Sequence, residues 1–372
     1  LIPPVKLIEA GKFRQDIVDI MQANSRQPIS LYGDLNGQIN ALKLGERRLT
    51  ALLDEYGDTT VQDALTELQT RASQLMRMNI AELPDGTYSC DDWLDNDGIV
   101  DEPLKIALDL TISGETMKLD FSRSSPACAG PVNIALSTAV ASVYVAIKHV
   151  FNDVPANSGV LDPIEINIPD HTLLAVKAPK PVGGYTETIL RLIDVVFGAM
   201  AKVAPERSNG CAYGTINALS LAGHRQDGRR WVMFSFFGGG HGGHPKGDGL
   251  NHGNAPISTA TIPPVEILES AYPMFFTKWA LRPDSGGAGR NRGGLGAIYE
   301  IELLEEKADV FLFGERGRYA PAGVHGGGYG ALNTFSYEQD DGYHKPPMAS
   351  KMVGIKIKKG QHLHLETPGG GG

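Results

Sequence analysis

The chain has 372 residues, 42% apolar and 21% charged, with a formal net charge of −9. That length can bury more than one core, and the composition is that of a globular protein. The acidic balance, with no basic stripe, argues against a nucleic-acid or anionic-membrane partner, and no apolar run is long enough to span a bilayer.

The predicted elements begin with helices. Lys12 to Asn24 places Phe13, Ile17, Ile20 and Met21 at helical spacing, and Leu35 to Tyr56 continues with Ile39, Leu42, Leu49, Leu52 and Leu53. Gly57 reads as a C-cap, and a third helix from Asp58 or Thr59 runs to Leu83 before Pro84-Asp85-Gly86 breaks the pattern. A hairpin follows, Leu104 to Ile112 and Met117 to Phe121 around Ser113-Gly114-Glu115. Val132 to Val150 reads as a buried helix. Ile164 to Ile168 and Leu173 to Val176 read as a strand pair, and Thr186 to Val203 as a helix opened by Gly183-Gly184. Gly214 to Leu221 and Trp231 to Phe237 flank a polar turn. From Pro263 onward strands alternate with glycine, among them Ile298 to Leu304, Val310 to Phe313 and His362 to Leu365. The expected class is α+β: a helical assembly region over 1–84, a mixed α/β core with glycine-rich loops over 85–260, and a β-rich region over 261–372.

The densest chemistry lies in Gly238 to Gly253, where eight glycines carry His241, His244, Asp248 and His252. Imidazole and carboxylate on a loop behind an apolar strand suit acid–base work, contact with a polar substrate, or metal ligation, and equally a structural turn. A second candidate is Val182 to Thr188, where Gly183 and Gly184 deliver Thr186 and Glu187 into a helix N-terminus. Free amides there bind anions. Glu187 could instead satisfy the helix dipole, with Arg191 four residues on as its partner. A third candidate is Arg282 to Gly296, with Asp284, Arg290, Asn291 and Arg292 among glycines. Arg282 and Arg292 could bind a phosphate or carboxylate, or Arg282 could pair with Asp284 in a tight loop. Glu315 to Arg318 and Val324 to Gly328 carry the same alternatives. No P-loop, dinucleotide fingerprint or nucleophile elbow is present. Cys90, Cys128 and Cys211 are odd in number and scattered, which predicts reduced thiols in the cytoplasm.

The phrase LRPDSGGAGRNRGGLG resembles a hallmark of the B subunit of the hydantoinase, 5-oxoprolinase and acetone carboxylase family. GDLNGQINALKLGERRL, GPVNIAL, GGYTETILRLIDVVFGAM, HGNAPISTATIPPVEILE and the closing LETPGGGG resemble it in the same order. The resemblance implies an ATP-dependent hydrolase of cyclic amides. A partner A subunit would bind ATP and phosphorylate the carbonyl oxygen, and the B subunit would act on the product. The alternatives are the equivalent subunit of a ketone carboxylase and a non-catalytic scaffold. It also implies a divalent metal (zinc, manganese or iron) held in an N-terminal portion that these residues lack, so no metal ligand is expected here. A second polypeptide is expected to supply that portion, because the chain opens at Leu1 and the match begins in mid-pattern.

Overall fold

The computed structural model describes residues 3–258 and 261–372. The chain forms two compact units, Leu1–Gln69 and Thr70–Gly372, with the division falling inside a helix.

In the first unit a two-stranded hairpin, β1 (Ile8–Glu9) and β2 (Lys12–Phe13), precedes helix α1 (Gln15–Ala23). Helix α2 (Pro28–Tyr56) starts with proline at its first turn, where the missing N–H costs nothing, and ends at Gly57 with φ 78°. Val18, Leu35 and Ile39 are buried where α1 meets α2. Further along, Leu42, Leu49, Leu52 and Tyr56 stay exposed. Helix α3 (Asp58–Ala81) crosses the division, with Leu65 and Leu68 exposed before it and Ala72, Met76 and Ile80 fully buried after it.

The second unit contains two hydrophobic clusters. In the first, strands β3 (Gly86–Leu94), β4 (Leu104–Ser113), β5 (Thr116–Asp120) and β6 (Ile164–Asn167) form one sheet in that order. The first three are antiparallel, and β6 joins β5 in parallel. Helices α4 (Leu136–Val150) and α5 (Tyr185–Met200) pack together, and α5 lies on β3 and β4. Helix α5 is buried on nearly every face, its Glu187, Arg191 and Asp194 included. The expected strand Leu173 to Val176 is not one. It is a buried connection whose backbone bonds reach Ser125 and Ile134, so its apolar run marks burial rather than a ladder.

The second cluster lies in a β-sandwich. One sheet has the order β14 (Lys351–Lys358), β11 (Lys307–Phe313), β7 (Ala218–His224), β8 (Arg230–Phe236). The other runs β13 (Gly342–His344), β12 (Thr334–Gln339), β15 (His362–Glu366), β10 (Ala297–Leu303), β9 (Met274–Leu281). Alternate residues of β10 and β11 point inward, as a half-buried strand requires. Leu219, Leu221 and Met233 share this cluster with Tyr299, Ile301 and Leu365, so segments before and after residue 260 form one core. Helix α6 (Val265–Ala271) packs against β9. The class is α+β, as the sequence predicts.

The glycine-rich loops meet the buried tail Gly369 to Gly372. The tail's backbone bonds to four separate loops: Gly370 N–H donates to Gly294, Gly371 N–H to Cys211, Gly372 N–H to Gly328, and Gly243 N–H donates to Gly371. At Gly370 a Cβ would stand 1.9 Å from the His241 carbonyl oxygen, so backbones approach too closely for any side chain.

Candidate functional site

Strand β3 ends in an acidic run that organises a distant loop. Asp95 accepts hydrogen bonds from the amides of Gly317 and Arg318, and its own amide donates to the Glu315 carboxylate at 2.7 Å. Asp92 pairs with two arginines, Arg191 on α5 at 3.0 Å and Arg316 at 2.9 Å. Arg316 also pairs with Asp194, one turn along α5 from Arg191. Burial acts against charge on Asp92, but Arg191 and Arg316 outweigh it and hold the carboxyl below its ordinary range. At Asp194 burial wins and the carboxyl is raised despite the same Arg316. The two carboxylates are thus shifted in opposite directions around one guanidinium. Beside it a fully buried Glu315–Lys351 pair lies near Glu187. Burial, reinforced by Glu315, pushes Glu187 up to about 8.

Above this network opens a cavity of about 730 Å³, lined by Cys90, Asp92, Trp93, Lys202, Tyr319 and His325 among others. Trp93 and Tyr319 stack with centroids 5.7 Å apart and offer an aromatic wall. Burial pushes the Cys90 thiol up to about 11, so it is a neutral thiol and a poor nucleophile. A second cavity, of about 560 Å³, includes His244, Arg290 and Asn291 in its lining. Pro205, Val324 and His325 line both, so the two cavities adjoin across the loop that carries His325. The His325 ring is held by Ser208, with Nε2 3.0 Å from Oγ.

The histidines of the long glycine loop do not all converge: His241 and His244 line one small cavity of about 260 Å³, whose lining does not include His252. His241 directs Nε2 to the Asn254 carbonyl at 2.6 Å and lies against Tyr213. His252 takes the Trp279 indole N–H at 3.2 Å and meets the Tyr299 hydroxyl. Burial lowers both imidazoles, so both are neutral structural groups at neutral pH. Asp248 accepts from the Arg292 amide at 2.8 Å and lies 3.8 Å from its guanidinium, which closes one loop on another. Of the four, His244 alone lines the groove formed by the two adjoining cavities. Among the described residues no three His, Cys, Asp or Glu side chains converge as a metal would require.

The other two sequence candidates are also placed differently from their simplest reading. At the start of α5 the amides of Gly184, Tyr185 and Glu187 donate to carbonyl oxygens, whereas among the described residues those of Gly183 and Thr186 have no backbone acceptor. Glu187 does not cap the helix: its carboxyl is buried and accepts from the Ile216 amide at 3.1 Å. Arg191 pairs with Asp92 rather than with Glu187, because the helix face they share is turned into the protein. Arg282 pairs with Glu366 and donates to the carbonyls of Leu332 and Thr367, not to Asp284. It clamps a strand end.

Sequence reasoning missed Asp92, Asp194, Trp93, Lys202 and Ser208. The run Asp91-Asp92-Trp93-Leu94-Asp95-Asn96-Asp97 was the available signal, since four carboxylates in seven residues at a strand end need partners. Nothing local marks Ser208.

The family model described as Hydantoinase B/oxoprolinase matches residues 1–372. An uncharacterised protein of Methanocaldococcus jannaschii is 31% identical over 376 residues, and the match covers all of this chain and 64% of that protein. The caprolactamase subunit beta of Pseudomonas jessenii is 30% identical over all of this chain, which spans 65% of its length. The crystal structure of the ATP-dependent caprolactamase from Pseudomonas jessenii superimposes with TM-score 0.88 at 28% identity, covering 99% of this chain and 65% of that one. The nucleotide-free acetone carboxylase structure also gives TM-score 0.88, at 16% identity, covering 99% of this chain and 56% of that one, a likeness of fold alone. The chain belongs to the hydantoinase B/oxoprolinase family.

Proposed function

From that family membership, we propose that this chain is part of the B-type subunit of an ATP-dependent cyclic-amide hydrolase. The observation that carries the reading is the likeness to the caprolactamase, in sequence and in fold, across nearly the whole chain. The chain spans about two thirds of that relative, so the assembled enzyme holds more than these residues. In this reading an A-type partner binds ATP and phosphorylates the amide oxygen. A further polypeptide portion carries the divalent metal (zinc, manganese or iron), and the complex works in the cytoplasm.

The chemistry follows from amide resonance, which protects the carbonyl carbon from water. O-phosphorylation removes that protection and leaves a charged, polar intermediate to be held and oriented. The groove supplies matching parts. Trp93 and Tyr319 form a wall for a ring, and the ionised Asp92 at the floor accepts a hydrogen bond from a ring N–H. His244, Arg290 and His325 lie along the adjoining cavity. The histidine loop, proposed from sequence as catalytic through His241, His244, Asp248 and His252, reduces in this reading to His244. The other three brace the loops around it.

A second reading, the equivalent subunit of a ketone carboxylase, draws on the acetone carboxylase fold. The two separate in one assay. The chain is purified with the polypeptides that accompany it and given ATP with caprolactam, 5-oxoproline or hydantoin, or with acetone or acetophenone plus bicarbonate. Ring-opened amino acid formed with ADP or AMP supports the amide reading. A carboxylated ketone and no lactam turnover replaces it with the second. No turnover of any kind favours a scaffold role.

A further inference from the structure

We propose that Asp95 is a positioning residue for the cavity of about 730 Å³: its buried carboxylate sets where Tyr319 stands against Trp93, and so fixes the aromatic wall. That a ring uses this wall rests on the cyclic-amide reading; the positioning itself does not.

Asp95 is fully buried and lies behind the cavity lining, two residues after Trp93 at the end of β3. Its carboxylate oxygens accept from the amides of two successive residues, Gly317 at 2.7 Å and Arg318 at 3.0 Å. Its own amide returns a bond to the Glu315 carboxylate at 2.7 Å, so the two chain segments hold each other reciprocally. Glu315 is itself fixed from two sides. Its carboxylate pairs with the buried Lys351 ammonium, and its amide donates to the Thr215 hydroxyl at 2.9 Å. Buried charges and amides are costly to leave unpaired, so this clasp favours one arrangement.

The next two residues are held by a buried group of opposite sign. Arg316 Nη1 donates to the carbonyls of Tyr319 and Ala320, each at 3.3 Å, while the guanidinium also pairs with Asp92 and Asp194. The amides of 317 and 318 thus go to a carboxylate, and the carbonyls of 319 and 320 to a guanidinium. Tyr319, stacked on Trp93, sits within this doubly held turn. Two backbone features accompany it. Arg316 has φ 66°, a left-handed conformation that persists in a non-glycine residue only where its surroundings enforce it. Gly317 has no room for a side chain: a Cβ would stand 2.7 Å from that of Ala349 and 3.2 Å from Asp95 Oδ2. Enforced strain at the root of a cavity wall points to a wall whose position matters.

The test measures how fast N-ethylmaleimide labels each thiol of the native full chain, read by peptide mass. Cys90 and Cys211 line the cavity, and the Cys211 amide donates to Ala322 on the same wall; Cys128 lies outside the lining. Asp95→Asn puts an NH2 group where a backbone amide needs an acceptor. It should speed labelling of Cys90 and Cys211 by about tenfold or more, through more frequent opening of the wall, and leave Cys128 unchanged. Gly317→Ala wedges the clasp apart with Asp95 intact and should show the same selectivity. Leu363→Ala, in the sandwich core, lowers overall stability and should not speed Cys211 relative to Cys128. All three thiols accelerating together in Asp95→Asn, or none of them, overturns the proposal. Caprolactam should slow Cys90 labelling in the parent and less so in Asp95→Asn. Selective exposure of Cys90 and Cys211 without protection by caprolactam upholds the positioning role and removes only the use of this wall by a cyclic amide.

Discussion

Arg316 and Asp194 are 122 residues apart in sequence, yet the guanidinium Nη2 lies 2.5 Å from the carboxylate in a fully buried setting. The pair ties the loop after β11 to helix α5, and Asp92 on β3 joins it through the same guanidinium. The floor of the groove is thus one electrostatic unit drawn from three distant segments. Two arginines and two carboxylates balance in charge, which is what permits them to be buried.

Removing one member should leave the others uncompensated. Arg316→Met is expected to cost about 3–5 kcal/mol of stability, measured by urea unfolding. Pairing it with Asp194→Asn should cost less than the sum of the single changes, because the double variant buries one charge fewer. Strictly additive costs would show that the pair is not coupled.

The glycine loops make a contrasting pair of predictions. A Cβ at Gly240 would stand 1.8 Å from the Gly294 carbonyl oxygen, with no side chain able to yield. A Cβ at Gly183 would meet nothing within 4 Å. Gly240→Ala should therefore lower Tm sharply, by an amount corresponding to about 3 kcal/mol or more, given the backbone shift it forces. Gly183→Ala should stay within about 0.5 kcal/mol of the parent. Equal Tm values for the two variants would contradict the close threading of the tail.

The loop histidines should separate by role. His252→Ala removes the partner of the Trp279 N–H and the Tyr299 hydroxyl, and is expected to cost about 1–3 kcal/mol. His241→Ala should behave similarly through its bond to Asn254. His244→Ala should leave thermal stability nearly unchanged and lower turnover of the assembled enzyme. Burial depresses the first two imidazoles below 6.5, so the unfolded chain takes up protons there that the folded chain refuses. Their contribution to stability is intact above pH 6.5 and is lost as pH falls below it.

Glu187 should act with the opposite sign. Its carboxyl is raised from 4.5 to about 8, so between those values the folded state keeps a proton that the unfolded chain releases. Stability from this group is present below pH 4.5 and lost as pH rises through about 8. Glu187→Gln keeps an acceptor for the Ile216 amide and removes the titration. Denaturant midpoints at pH 5.5 and pH 8.5 should show the variant gaining on the parent at the higher pH. A constant difference between them would mean that Glu187 is not protonated in the folded protein.

Local pattern was enough for much of the fold. The helices α1 to α5, the β4–β5 hairpin and strands β7, β8, β10, β11 and β15 are all legible because apolar periodicity and turn chemistry act over a few residues. The family was legible too, since its motifs are contiguous and colinear with the chain. Other features needed the folded chain. Leu173 to Val176 looks like a strand because burial and strand pairing leave the same apolar signature. Glu187 and Arg191 look like a helical ion pair because spacing says that they are neighbours, but not that their shared face is buried against Asp92 and Ile216. His241, His244, Asp248 and His252 look like one cluster because they are close in sequence; a loop rich in glycine carries no periodicity from which directions could be read. The groove joins residues from near 92, 202, 244, 290 and 325. Contacts over such separations depend on how the sheets and the glycine tail close on each other, and that closure is a property of packing, not of any local stretch of sequence.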